Sequence, residues 1–387
     1  MRIAFYAPLK PPRHDIPSGD RLMARLLMRA LATAGHEVEV ASEFRSYDRT
    51  PDGTAQEDIR ARAEVIADDL AATYQDAGPQ TRPDAWFTYH VYYRAPDWLG
   101  PRISDRLGIP YLIAEPSFAP KHAAGPWRLG HEAAGAAIAA ADAVFCLTRH
   151  DLACVQPLVT TPERLHFLPP FLDAEPFAAA LRHRDPARRA LAHELGLSPG
   201  HPWLLAVAMV RPGDKLASYR ALAAALERLS DLEWQLVIVG EGEAREALVA
   251  AFAALPAGRV HFAGARAAKA LAQIYAACDL YVWPAVNEAY GMAFLEAQAA
   301  GLPVVACGVR GVPDVVRDGE TGLLAPAGDA AAFAALIRRL LDAPAARQHM
   351  GESASRFVAG SRTLGDAARA LDRVLREVAG STHRRTS

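Results

Sequence analysis

Short apolar runs separated by helix-forming stretches recur along this chain, and that alternation restricts it to folds with a parallel sheet covered by helices. Residues 2–7 read as a buried strand and residues 10–20, with their prolines and Ser18-Gly19, as a loop. Leu22, Leu26, Leu27, Ala30 and Leu31 then recur at helical spacing until Gly35 stops the helix and residues 37–42 resume a strand. Further strands are predicted at 85–89, 111–114, 143–147 and 165–168.

Around residues 181–202 the pattern lapses into a charged segment carrying Pro186, Pro199, Gly200 and Pro202, and a second series starts at Trp203. Its strands are predicted at 203–208, 235–239, 260–262, 280–283 and 304–306. A chain of 387 residues exceeds what one hydrophobic core usually organises, so each series is read as a domain. The predicted division is 1–183 and 184–360, both α/β, Rossmann-like and doubly wound; residues 361–387 hold a C-terminal helix and tail. Ligands of such sheets lie beyond the carboxyl ends of the strands, which predicts a cleft between two facing halves.

Charge and cysteine content exclude several functions. Lys plus Arg number 42 against 44 Asp plus Glu, leaving no broad basic field for nucleic acid. Cys146, Cys154, Cys278 and Cys307 form no Cys-x-x-Cys pair, which fits a reducing cytoplasm. No apolar run reaches the roughly 18 residues of a membrane span, and Pro8 interrupts the first run before a signal-peptide core develops. Arg21, Arg25 and Arg29 recur at helical spacing and read in two ways. They form a solvated face, or a basic face laid on an anionic membrane, which would place the protein peripherally on its inner surface.

The stretch from Pro284 to Ala306 carries the most chemistry. Glu288 and Glu296 stand seven intervening residues apart across a strand-to-helix turn, with Gly291 allowing close backbone approach and 292–300 helix-forming in composition. Carboxylates so placed accept hydrogen bonds from sugar and ribose hydroxyls, while free amides at the helix start face an anion. A nucleotide diphosphate sugar combines both features.

This glutamate pair resembles the signature of the family-four retaining glycosyltransferases of GT-B fold, the group 1 glycosyl transferases. The resemblance continues through Gly35-His36-Glu37-Val38, Ala141-Asp142-Ala143-Val144, Val237-Ile238-Val239-Gly240-Glu241-Gly242, Gly319-Glu320-Thr321-Gly322-Leu323-Leu324 and Gly328-Asp329. It implies that Glu288 contacts hydroxyls of the transferred sugar and Glu296 the ribose, with Asn287, Ala289, Tyr290, Gly291 and Met292 in the same donor-binding stretch. Met209 to Lys215 resembles the segment holding the family's arginine-lysine pair on the diphosphate, which points to Arg211 and Lys215. The spacing is one residue shorter here and Leu216 replaces the usual glycine.

Gly19, in Pro17-Ser18-Gly19-Asp20, resembles the glycine of a loop over the diphosphate, and equally reads as a turn capped by Ser18 or Asp20. Gly311 resembles the loop beside the donor sugar, and reads also as a plain turn. His90 and His122 follow predicted strands on the acceptor side, and Glu115 has the same standing. The helix over 363–378 would cross back to the first domain, with a disordered tail from Ser381.

No Asp-x-Asp occurs, so neither a metal nor another cofactor is expected and the nucleotide sugar is substrate. Gly240 and Gly242 suggest a dinucleotide fingerprint, but Arg245 takes the third-glycine position, which disfavours hydride transfer. The resemblance implies transfer with retention to a glycan, lipid-linked or small-molecule acceptor, the leaving phosphate taking the acceptor proton. The donor would bind the second domain, the acceptor the first, and hinge closure would exclude water. Alternatives on the same scaffold are a silent sugar-nucleotide-binding regulatory subunit, an epimerase or a glycan phosphorylase.

Overall fold

A computed structural model describes residues 1–386 apart from Pro17, Pro51, Asp52, Ala77, Pro79 and Gln80, with side chains through Ser381. It contains two compact units, Met1–Pro169 with Leu364–Ser387, and Pro170–Thr363. The first holds β1 (Arg2–Tyr6), β2 (Glu37–Ser42), β3 (Ala85–Tyr89), β4 (Tyr111–Ala114), β5 (Ala143–Cys146) and β6 (Leu165–Phe167). These pair in the order β2-β1-β3-β4-β5-β6. The second holds β7 (Trp203–Val207), β8 (Gln235–Val239), β9 (Val260–Gly264), β10 (Leu280–Trp283), β11 (Val304–Cys307) and β12 (Gly322–Ala325), ordered β12-β11-β10-β7-β8-β9.

Every neighbouring pair is parallel. Strands such as β3 and β8 are buried along their whole length, because helices cover both faces. Register aligns Phe5 with Phe87 and Phe87 with Leu112, and the Phe5 and Phe87 rings stack at 5.8 Å. Strand order reverses once in each sheet, between β1 and β3 and between β7 and β10. At such a point two loops leave the sheet in opposite directions and a crevice opens beyond the carboxyl ends.

Unit boundaries differ from those expected at 183 and 360. The charged segment 181–202 is helical within the second unit, as Glu175–Arg182 and Arg184–Leu195. Pro186 is tolerated because it lies in the first turn, where its missing N–H has no helical partner to lose. The last helix, Leu364–Thr386, belongs to the first unit, packing on helix Gly19–Thr33 with Leu371, Val374 and Leu375 buried. It extends to Thr386 where a disordered tail from Ser381 was expected; Ser387 lies outside the described residues. Strand β12 and helix Gly53–Asp76 were not anticipated.

Arg21 and Arg25 of helix Gly19–Thr33 are engaged by protein. Arg21 donates to the carbonyls of His14 (2.6 Å) and Asp15 (2.9 Å), and Arg25 to Pro12 (2.7 Å). Together with Arg45, which donates to Leu9 (2.9 Å), they clasp the loop after β1. Arg25 and Arg29 are exposed, as a solvated face requires, while Arg21 is half-buried against the loop. Among the described residues no helix is long and apolar enough to cross a membrane.

Buried Asp97 secures the end of β3. One carboxylate oxygen accepts from the amides of Leu99 (2.9 Å) and Gly100 (2.8 Å), starting helix Gly100–Leu107. The other accepts from Thr88 (2.6 Å) and Tyr111 (2.7 Å), on β3 and β4. Burial raises its pKa, and these four donors oppose the rise by favouring the anion. Gly100 is required there, since a Cβ would collide with this carboxylate and the Tyr111 ring. Removing the carboxylate orphans four buried donors, so Asp97→Ala should lose on the order of 3 kcal/mol in urea unfolding, while the exposed Asp105→Ala stays within about 0.5 kcal/mol of wild type.

Candidate active site

In the second unit, the loops after β7 and β10, which flank the order reversal, carry the charged residues that the sequence singled out. Lys215 stands at the second position of helix Asp214–Glu227, whose N-cap is Gly213 at φ 80°. Its Nζ lies 2.5 Å from Glu288 Oε2 and 5.7 Å from the centroid of Trp283. The Trp283 indole points to the same Oε2 at 3.4 Å. Arg211 is exposed, and among the described residues its guanidinium makes no ion pair. Leu216, where the family has glycine, is buried and its amide donates to Arg211 O (3.1 Å), which closes the loop back on itself.

The 284–291 loop owes its shape to left-handed backbone at Ala285 (φ 62°), Asn287 (φ 53°) and Gly291 (φ 76°). Such conformations persist in non-glycine residues only when neighbours enforce them. Ser218 Oγ accepts the Val286 amide (3.0 Å); the Asn287 side chain donates to Asp214 (2.8 Å) and accepts from Arg310 (3.1 Å). At Gly291 a Cβ would stand 2.6 Å from the Phe294 ring and 3.3 Å from Glu288 Cγ, so no side chain fits. Met292 opens helix Met292–Ala299; Ala289 is exposed and Tyr290 buried.

Glu296, in that helix, accepts from Tyr275 Oη at 2.8 Å, and burial raises its pKa. It therefore does not join Glu288 at Lys215. Gly311 donates its amide to Ala289 O (2.8 Å), so this N–H is already committed and the glycine ties the 308–311 turn to the glutamate loop. Gly240 and Gly242 have an internal role: a Cβ on either would collide with the carbonyl of Ala208 or Val210. Bonds from Ala208 N to Val239 O (3.1 Å) and Val210 N to Glu241 O (3.0 Å) extend the pairing past β7 and β8 and support the Arg211 loop.

The first unit places a different chemistry at its own reversal. His90, one residue past β3, is left-handed at φ 64°, and Glu115, one past β4, at φ 54°. His90 Nδ1 lies 3.4 Å from Asp20, which follows β1, and 3.8 Å from Glu115. Tyr89 donates to the other Glu115 oxygen at 3.0 Å. Burial alone would lower the imidazole pKa, but Asp20 and Glu115 override it and lift His90 to about 9. Burial lifts Glu115 to about 7 against the pull of His90, whereas His90 and Lys10 overcome burial and hold Asp20 below its usual range.

Gly19 is the first residue of its helix, with Ser18 Oγ accepting the Arg21 amide (3.2 Å) as cap and open space where a Cβ would stand. Pro17 of that motif lies outside the described residues. His122 stands apart from the acidic cluster, its ring stacked on Tyr93 at 3.8 Å and its pKa lowered by burial and by Lys121, His131 and Arg94. Asp20, read only as a cap, is the partner that sequence reasoning missed at His90. Asp20 is the second residue of helix Gly19–Thr33, a long loop away from β1, and no residue pattern signalled the contact. Among the described residues no group of three acidic, histidine or cysteine side chains is placed to hold a metal.

Residues 202–343 match the model of the family described as glycosyl transferases group 1. The D-inositol 3-phosphate glycosyltransferase of Xylanimonas cellulosilytica is 28% identical over 93% of this chain and 91% of its own. The family match thus falls within the second unit, and the relative's likeness extends over both units. Sucrose-phosphate synthase from Thermosynechococcus elongatus superposes with a TM-score of 0.77 at 22% identity, over 98% of this chain and 99% of its own. Anabaena HepE, solved in complex with UDP-glucose, gives 0.69 at 14% identity, over 97% and 100%. The chain thus has the GT-B fold, with two parallel α/β units.

The His90 cluster can be tested by titration. Because the folded pKa is raised, protonated His90 contributes stability that is fully present below about 6.5 and is lost as pH rises through about 9. Side-chain nitrogen NMR should therefore find His90 as imidazolium at pH 7.5, and Asp20→Asn should move its midpoint down by at least one unit. A neutral ring at pH 7.5 would contradict the geometry.

Proposed function

We propose that this protein is a retaining, metal-independent glycosyltransferase that moves a sugar from a nucleotide diphosphate donor held by the second unit to a hydroxyl of an acceptor held by the first. The observation that carries this reading is the Lys215–Glu288 pair at 2.5 Å, set on Trp283 at the β7/β10 reversal, where a parallel sheet binds its ligand. The HepE complex with UDP-glucose supports a nucleotide sugar as donor.

Lys215, Arg211 and the first amides of helix Asp214–Glu227 would hold the diphosphate. As the bond from the anomeric carbon to the phosphate oxygen breaks, negative charge grows on the leaving group. Cations already in place stabilise that charge more in the transition state than in the ground state, and take the part a divalent ion plays elsewhere. Glu288, released from Lys215 by the diphosphate, would accept hydrogen bonds from sugar hydroxyls. Glu296, beside Tyr275, would bind the ribose, with Asn287, Ala289, Tyr290, Gly291 and Met292 shaping the pocket between and Gly19 beside the diphosphate. The acceptor oxygen attacks the same face that the phosphate leaves, and its proton passes to the departing phosphate oxygen. His90, an imidazolium flanked by carboxylates, would donate to a substrate hydroxyl rather than act as base, and neutral His122 on Tyr93 would serve as a stacking surface.

Purified protein incubated in EDTA with a panel of nucleotide sugars and candidate acceptors should release nucleoside diphosphate from one donor. Glu288→Gln and Lys215→Ala should each lower kcat at least about 100-fold, in line with loss of one transition-state contact. Donor binding by calorimetry without turnover on any acceptor would favour the silent-subunit reading. Turnover that EDTA abolishes would refute metal independence.

A further inference from the structure

At the opposite end of the second unit's sheet, a cavity of about 690 Å³ lies beside Asp279, which precedes β10, and Pro303, which precedes β11. Arg184, Arg347 and Arg356 line it. Asp279 is already saturated: it pairs with Arg184 (2.6 Å) and Arg188 (2.9 Å) and accepts the Trp203 amide (2.8 Å). Arg347, on helix Pro344–Ser361, donates to the carbonyls of Leu340 (2.7 Å) and Leu341 (3.4 Å), and Arg356 to Ser353 Oγ (3.1 Å). These acceptors orient the guanidiniums without neutralising them, and among the described residues neither arginine makes an ion pair. Three guanidiniums line the cavity and Arg188 stands behind Asp279, against two carboxylates, Asp279 and Glu352.

Packing keeps these groups close together. Gly351 allows helix Pro344–Ser361 to rest on the Gly301 carbonyl, where a Cβ would collide, and Leu181 closes on Gly301 from the other side, 3.2 Å from where its Cβ would be. Burial is the main cause that lowers the Arg347 pKa; Asp279 opposes it, and Arg184 and Arg188 add to it. Oriented, uncompensated guanidiniums in a concave site match a phosphate, which each can engage through two N–H groups. The volume suits a small organic phosphate.

We propose that this cavity is a second anion site, separate from the Lys215–Glu288 site, that takes the phosphate group of a small metabolite or a lipid headgroup. Full-length Lys215→Ala protein, whose diphosphate grip is removed, would be titrated with inorganic phosphate and glucose 6-phosphate, and floated with vesicles of phosphatidylglycerol or phosphatidylcholine. Saturable binding of the soluble phosphates is expected, weakened at least tenfold by Arg347→Gln with Arg356→Gln. Arg356→Glu alone, an exposed substitution that leaves the near-ultraviolet dichroism unchanged, should weaken it similarly. Capture by phosphatidylglycerol vesicles alone, abolished by Arg356→Glu, would assign the phosphate to a lipid headgroup. Absence of both, or binding that neither substitution weakens, overturns the proposal.

Discussion

A parallel sheet whose strand order reverses offers one place where consecutive loops diverge, and both units build their charged groups around that place. In the second unit the strands flanking the reversal, β7 and β10, deliver Lys215 and Glu288. In the first, the start of helix Gly19–Thr33 and the end of β3 deliver Asp20 and His90. These four residues are far apart in the chain. They meet because right-handed crossovers force all strand ends of one sense to one edge, and the reversal leaves that edge open.

Topology places loops; backbone strain aims side chains. His90 and Glu115 both turn left-handed in the first residue after a strand, while Ala285, Asn287 and Arg310 do so in the loops around Glu288. Each such conformation costs on the order of 1–3 kcal/mol and must be held by its surroundings. The holders are visible. His90 N donates to Ala114 O (2.9 Å) and Glu115 N to Phe145 O (2.8 Å), continuing the ladder one step beyond each strand, and Asp97 anchors the strand end below. Around Asn287 the holders are Ser218, Asp214 and Arg310. The supporting polar residues thus belong to the site as much as the residues they present.

Legibility in the sequence followed the range of the interaction. Fully buried strands such as β3, β8 and β11 announce themselves as continuous apolar runs, and the Glu288 loop by its proline, glycine and following helix pattern. Strand β12 did not, since it is four residues long, begins with Gly322 and follows a turn-rich stretch. The helix Arg184–Leu195 was hidden because its outer face is charged and its anchoring is distant: Arg184 and Arg188 reach Asp279, more than ninety residues on. Likewise the acceptors of Arg21 and Arg25 are backbone carbonyls, which no residue pattern reveals, and the Asp20–His90 contact joins a helix start to a strand end through a fold that must exist first.

The Lys215–Glu288 pair is better understood as a closed switch than as a brace. With the lysine 31% and the glutamate 16% exposed, the pair is neither dry enough to be strongly coupled nor wet enough to be free. Interactions of this kind contribute roughly 1 kcal/mol net, because desolvation offsets much of the Coulomb attraction. On the proposed function, a diphosphate would bring more negative charge than one carboxylate and would meet the same ammonium together with Arg211 and the amides at the helix start, which would favour exchange of partners. Glu288 is then left beside the Trp283 indole, with acceptor capacity that sugar hydroxyls can fill. The pair keeps each half-buried charge satisfied, and the same two groups would become available together to a ligand carrying both a diphosphate and hydroxyls.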